Sequence, residues 1–537
     1  MTETAAPDLI VVGDAVHTFD DRNTMVEALA IGDGVVADSG PLERIERSAG
    51  PRTERLIVEG AVLPGFCDTH MHFEKIAHEL RMVQLGDAET IDEVLQLVAD
   101  VAAGLEPGTW VQSFGDDNAW HETQLRERRL PTREELDAAA PDHPVFLYRG
   151  HDAAALNSAA AERLRTKLDD DAGWDNEDGR LDSPRARLLQ AELPAPADAA
   201  ATLEHASRRL LGYGITTVVD PGLPAQFDAS WQRYREAARR SQVLQRLYLM
   251  DRLDYHCSFE TELERVERSE TPRSVERDGV TGFGLKLLVD GEFDDAWMGT
   301  GDPQPAPPTR RYTPAQIEAA LRLCAERGWP ICFHVIGRGA VDAVLAAVAR
   351  VGGRQAFERN QVTLAHAFFM SEQNLDDAVR LGVAVSVQPL LAYVFENEMQ
   401  RAWGEHAHHA NPYRQMLDRG LDVAGGSDVL PCEPLRGAAV AVTRISRRGS
   451  RLGADQAVNA AEAISLFTRN AAAYVREPHL GTLEVGAPAD FVCWPLNPLD
   501  APTDAWPQLR PTLTAIGGRV VWRNEASPSP TPNGAAA

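Results

Sequence analysis

At 537 residues the chain is too long for one ordinary hydrophobic core, so a large domain with a smaller companion is expected. A hydrophobic content of 44% is that of a globular protein, and 80 acidic against 53 basic residues leave a formal charge of -27 and a pI of about 5.0. That balance argues against a nucleic-acid partner and otherwise reads as solubility.

The first residues, MTETAAPD, lack the basic segment of a signal peptide, and no apolar run approaches a membrane span. Six scattered cysteines without a C-x-x-C spacing suit reduced thiols. A cytoplasmic protein with no membrane partner is therefore expected. Lysine is nearly absent, with Lys75, Lys167 and Lys286 the only three.

Residues 1–7 and 526–537 are small, polar and proline-rich and read as disordered tails. From Asp8 the chain has the texture of short strands, with Asp33-Gly34 at a hairpin position. The C-terminal stretches TLEVGAPADFVCWP and LTAIGGRVVWRN look the same, with Gly517-Gly518 at a turn. A small β-sandwich assembled from 1–60 and 480–525 is expected.

Residues 61–479 alternate apolar strands with amphipathic helices. Thr313-Pro314, for example, opens a helix that Gly328 closes. Eight strands can be counted: the stretch ending at His70, then 215–220, 244–250, 282–290, 330–337, 361–368, 382–389 and 421–428. That number closes a (β/α)₈ barrel. Residues 73–205 interrupt it with strands of their own, TWVQSFG and PVFLYRG, and read as an inserted subdomain.

Barrel chemistry sits at the C-terminal ends of strands, and there the candidate ligands fall. His70 and His72, one residue apart in LPGFCDTHMHFE, would face one side at the end of strand 1 and reach one ion. Lys286 lies within strand 4, His334 and His366 near the ends of strands 5 and 6, and Asp428 ends strand 8. A buried lysine with no carboxylate near it in sequence is costly. The bland readings are core histidines and a helix-capping aspartate.

These motifs, with G-L-K-x-x-x-D-G, H-V-I-G, S-V-Q-P, G-S-D, G-H-x-x-x-x-x-N-S (150–158) and G-T-L-E-x-G-x-x-A-D-F (481–491), resemble the amidohydrolase superfamily. The nearest branch is the YtcJ-type metal-dependent amidohydrolases, which include N-substituted formamide deformylase. The resemblance implies hydrolysis of a non-peptide C–N bond of a small molecule at one or two divalent ions, zinc in the first place. His70 and His72 would hold the more buried ion, His334 and His366 the second, and a carboxylated Lys286 would bridge them. Asp428 would bind the first ion and take the proton of the nucleophilic water. A divalent ion lowers the pKa of bound water from about 15.7 toward roughly 7, which makes such a nucleophile available. A homodimer is common among such proteins.

The chain departs from that pattern at several points. Arg338 stands where an aspartate is usual, either as a clamp for an anionic substrate group, or as a surface arginine or one paired with a helix carboxylate. Ala365 replaces a glutamate before the strand-6 histidine, and EFDDAWMGT follows Asp290-Gly291 as a bulky acidic loop expected over the pocket. His151 and Gln388 are candidate substrate contacts. The EHAHH run (His406, His408, His409) reads as solvated histidines or a further metal site. Deamination of a heteroaromatic ring is disfavoured, because no glutamate follows His334 closely. Ester or lactone hydrolysis, and a non-catalytic binding barrel, stay open.

Overall fold

The computed structural model describes residues 6–113, 124–149, 153–168, 174–175, 178–182, 199–223, 226–269, 275–477 and 479–525. The chain divides into two compact units, one of Met1–Phe73 with Ser207–Ala537 and one of Glu74–Ala206. His151 lies outside the described residues.

In the first unit, strands Leu9–His17, Met25–Gly32, Val35–Gly40 and Glu54–Pro64 join Phe491–Trp494, Leu513–Ile516 and Arg519–Arg523 in one seven-stranded sheet. Both ends of the chain therefore build one β layer. Val11, Leu29, Val62, Phe491 and Leu513 share its buried core, and Ile10, Ala28 and Ala30 on the other face meet Ile45 of a short helix. The Asp33-Gly34 and Gly517-Gly518 turns close their hairpins with positive φ at all four residues, as two-residue hairpins require.

The barrel strands are Phe66–Asp68, Ile215–Asp220, Arg246–Arg252, Val280–Leu288, Ile331–Val335, Val362–His366, Ala384–Val387 and Val423–Gly425, paired in parallel in that order. The ring closes where the Thr69 amide donates to the Gly425 carbonyl (3.1 Å), Asp428 N donates to His70 O (2.7 Å), and Met71 bridges Asp428. Cys67, Val219, Met250, Cys332, Ala365 and Ala424 fill the interior. Helix Pro314–Arg327 starts with a Thr313–Gln316 capping box and Pro at its first turn, and it stops at left-handed Gly328.

Several strands are shorter than their sequence pattern. Strand 1 ends at Asp68, strand 7 at Val387 and strand 8 at Gly425. His70, His72, Gln388 and Asp428 therefore sit on the loops that follow and not on strands. An apolar run marks burial, and here burial continues past the point where ladder pairing stops.

In the second unit, strands Val111–Gln112, Val145–Arg149, Ala153–Leu156, Arg180–Asp182 and Trp174–Asp175 form a five-stranded sheet. Val145, Leu147, Ala153 and Ala155 face one cluster, and Phe146, Tyr148, Ala154 and Leu156 the other, so both faces are covered. Asn157 of the G-H-x-x-x-x-x-N-S motif is structural. Its side chain accepts from Val145 N (2.9 Å) and Ala160 N (3.0 Å) and donates to His143 O (2.8 Å).

Candidate metal centre

The loop after strand 1 is tied to its neighbours through backbone and carboxylate hydrogen bonds. Buried Asp68 accepts from the backbone N–H of His70 and of Ser427, both at 3.0 Å, which ties strand 1 to the loop after strand 8. Met71 N donates to Val219 O at 3.0 Å. His70 and His72 thus flank a residue fixed in bridged, extended backbone, which restores the same-side projection that a longer strand would have given.

His70 Nε2 and His72 Nε2 lie 3.7 and 3.6 Å from Asp428 Oδ1. Among the described residues these three form the group of potential ligands whose donor atoms all fall within 4.8 Å of one another. His366 joins from the other side, its Nδ1 3.9 Å from Asp428 Oδ2 and its ring 5.0 Å from that of His70. The His334 ring stands 4.5 Å from His366. Among the described residues the EHAHH histidines form no such group. His406 packs 4.9 Å from the Phe369 ring and faces Asp302.

Two ligand candidates reach the site through unusual backbone. His366 has φ 73° and Asp428 φ 64°, left-handed conformations that side chains other than glycine rarely adopt. In strand 6 Ala365 already points into the barrel, so an ordinary extended His366 would point outward. The left-handed turn brings it in.

Burial drives the pKa of His70, His334 and His366 well below the ordinary imidazole value. For His70 and His334 the charge of Lys286 adds most to that effect, and for His366 the neighbouring His334 does. All three are therefore neutral, each with one lone pair for a ligand. A carbonyl only accepts, so the 3.1 Å contact from His334 Nε2 to Gly291 O makes that nitrogen the donor and leaves the lone pair on Nδ1. His70 Nδ1 is buried without a hydrogen-bond partner. Neutral imidazoles converging on a carboxylate, with an unsatisfied buried nitrogen among them, fit a divalent ion of the zinc type.

Lys286 is fully buried, and its Nζ meets Cys332 Sγ at 3.4 Å. Burial lowers its pKa, against Cys332 and Asp428, which raise it. Gln388 caps the helix Pro389–Val394; its Nε2 donates to Ser386 Oγ (2.9 Å), while its Oε1 is buried without a partner. Arg338 opens the helix Arg338–Val351 and spends its guanidinium on Asp302 (2.8 Å) and the Thr300 carbonyl (3.0 Å). The acidic loop after Asp290 is built in: Asp290 accepts from Trp297, Ile336 and Gly337 N–H groups, and Phe293 packs on Phe368, Phe395 and Trp403.

Sequence reasoning missed Asp68, Asp290, Ser386 and Gly426 as supports. Asp68 and Asp290 were visible as acids at apolar strand ends. Gly426 was visible only as a glycine.

Fold and cluster together define a (β/α)₈ barrel with its polar site at the C-terminal strand ends. Residues 59–522 match the Amidohydrolase family, most of the chain. N-substituted formamide deformylase of Arthrobacter pascens is 28% identical over 97% of this chain and 99% of its own. A putative amidohydrolase, YtcJ, of Bacillus subtilis (strain 168) is 24% identical over 95% and 98%. An uncharacterised metal-dependent hydrolase of Pyrococcus horikoshii OT3 has the same fold, with a TM-score of 0.69 at 22% identity over 92% of this chain and 99% of that one. The chain belongs to the Amidohydrolase family, and it is a YtcJ-like hydrolase acting on carbon–nitrogen bonds.

Proposed function

We propose that the protein hydrolyses a non-peptide, amide-like C–N bond of a small molecule at a site holding one or two divalent ions, zinc in the first place. The observation that carries this is the convergence of His70, His72 and Asp428 at the C-terminal end of the barrel. His70, His72 and Asp428 would hold one ion, and His334, His366 and a carboxylated Lys286 a second. A divalent ion there supplies Lewis acidity and a lowered water pKa.

The residues divide the remaining work. Asp428 holds the acidic proton of the attacking water and returns it to the departing nitrogen, since its carboxylate faces both histidine pairs. Burial lowers the Lys286 pKa, which favours the unprotonated amine whose lone pair reacts with CO₂. Gln388, with a buried acceptor to spare, and His151 are proposed substrate contacts. Arg338 acts at one remove by fixing the Asp302 loop.

The test combines metal analysis with turnover of N-acyl, N-formyl, cyclic amide and ester panels. Bound zinc and turnover of at least one amide class are expected, with kcat about 10²–10⁴-fold lower in Asp428→Asn. No bound metal after preparation in excess zinc, or full activity in Asp428→Asn, refutes the proposal.

A further inference from the structure

The catalytic face carries two cations that the ligand set does not use. Arg252 is the last residue of barrel strand 3 and pairs in register with Lys286 of strand 4. Register partners on parallel neighbours project to the same side, so Arg252 leaves the strand on the side of Lys286. Arg311 follows the loop after strand 4, its N–H donating to the Val289 carbonyl at 3.0 Å, while Val289 N–H in turn donates to His334 O. The two guanidinium groups share one aromatic support: Tyr255 lies 6.0 Å from Arg252 Cζ and 4.4 Å from Arg311 Cζ.

Neither charge is balanced in the usual way. Arg252 Nε and Arg311 Nη1 are buried with no hydrogen-bond partner among the described residues. The charges of Glu292 and Asp428 reach Arg252 without forming an ion pair with it among the described residues, and the other acids nearby are committed elsewhere. Asp251 and Glu262 are both held by Arg265, at 2.8 and 3.0 Å. Asp290 spends its oxygens on three backbone N–H groups. Burial lowers the Arg252 pKa, with Tyr255, Glu292 and Asp428 opposing and Arg311 adding repulsion. A buried donor without an acceptor costs more than any ordinary hydrogen bond returns.

We propose that Arg252 and Arg311 form a carboxylate-binding subsite beside the metal centre, so that the hydrolysed amide carries an anionic group on its non-reacting end. One buried N–H from each arginine offers two donors, which match the two oxygens of a carboxylate. Tyr255 supports the pair and lets two cations stand close without a protein carboxylate between them. Arg338, by contrast, already has Asp302 and the Thr300 carbonyl as partners. The inference rests on the amide-hydrolase reading for its substrate class.

The experiment uses the zinc-loaded protein in an Asp428→Asn background, so that probes are bound and not consumed. N-acetylglycine and its neutral N-methylamide are titrated by calorimetry, with Arg252→Gln and Arg311→Gln added singly and together. The anionic probe is expected to bind about 10- to 100-fold more tightly than the neutral one, and each glutamine variant to lose that margin for the anion alone. Without probe, the glutamine variants are expected to melt no lower than their parent, because each removes an unbalanced buried charge. Equal binding of the two probes, or an anion preference that survives the double replacement, overturns the subsite. Arginine-dependent anion binding with no amide turnover in the native enzyme sinks the hydrolase reading and keeps the subsite. Turnover of neutral and anionic amides alike, indifferent to both arginines, does the reverse.

Discussion

Gly426 tests how tightly the metal centre is braced. A Cβ at this position would stand 2.6 Å from His70 N, 2.8 Å from His70 Cβ and 3.1 Å from Asp68 Oδ1. Two of these contacts are with atoms that no side-chain rotation can move. The same Asp68 oxygen joins the His70 and Ser427 amides, so the added methyl enters the hydrogen-bond junction that sets the first ligand. Overpacking of this kind costs about 1–3 kcal/mol, and disturbing the supports of a ligand costs about 10- to 100-fold in metal affinity. Gly426→Ala is therefore expected to lose stability in denaturant titrations and to release zinc to a chromophoric chelator at lower chelator concentration. Gly32→Ala is the control, since the nearest atom to its new Cβ is Pro7 Cα at 4.0 Å. It should stay within about ±0.5 kcal/mol. A Gly426→Ala protein with wild-type stability and wild-type zinc affinity would refute the reasoning.

Native mass spectrometry of protein prepared with bicarbonate should find one added CO₂ unit that Lys286→Met lacks, and the variant should bind fewer metal equivalents. An unmodified wild-type chain with its full metal complement would exclude the bridging carbamate. Arg338→Ala should leave the ratio of anionic to neutral substrate turnover unchanged and cost at most about 1 kcal/mol, since the Asp302 pair is partly exposed; a selective rise in KM for anions would return the clamp role to Arg338. Glu135 in the capping box of Arg133–Ala139 has its pKa lowered from 4.5 to about 2, chiefly by Arg129. Its folded pKa lies below its unfolded one, so its stabilisation is present above pH 4.5 and disappears as pH falls toward 2. The stability gap between wild type and Glu135→Gln should narrow over that window, and a gap independent of pH would contradict the assignment.

Much of the architecture could be read from residue pattern alone. Period-two runs, the Asp33-Gly34 and Gly517-Gly518 turns and the Thr313-Pro314 helix start are local features, and local sterics and hydrogen bonding decide them. The ligand types were equally legible, because histidine pairs and acids at strand ends are rare enough to stand out against an apolar background. Three things were not. The left-handed backbone at His366 and Asp428 depends on what surrounds the chain, since nothing in the local sequence pays for positive φ at those residues. The partner that Arg338 takes, Asp302, sits 36 residues away. The placing of Arg252 beside Lys286 follows from strand register, and its lack of Asp251 as an ion-pair partner from Arg265 claiming that acid. The sequence by itself determined which groups could do chemistry and at which end of the barrel. Tertiary structure alone decided which of them are paired and which are left to meet a ligand, because charge compensation is a property of distances in space and not of spacing along a chain.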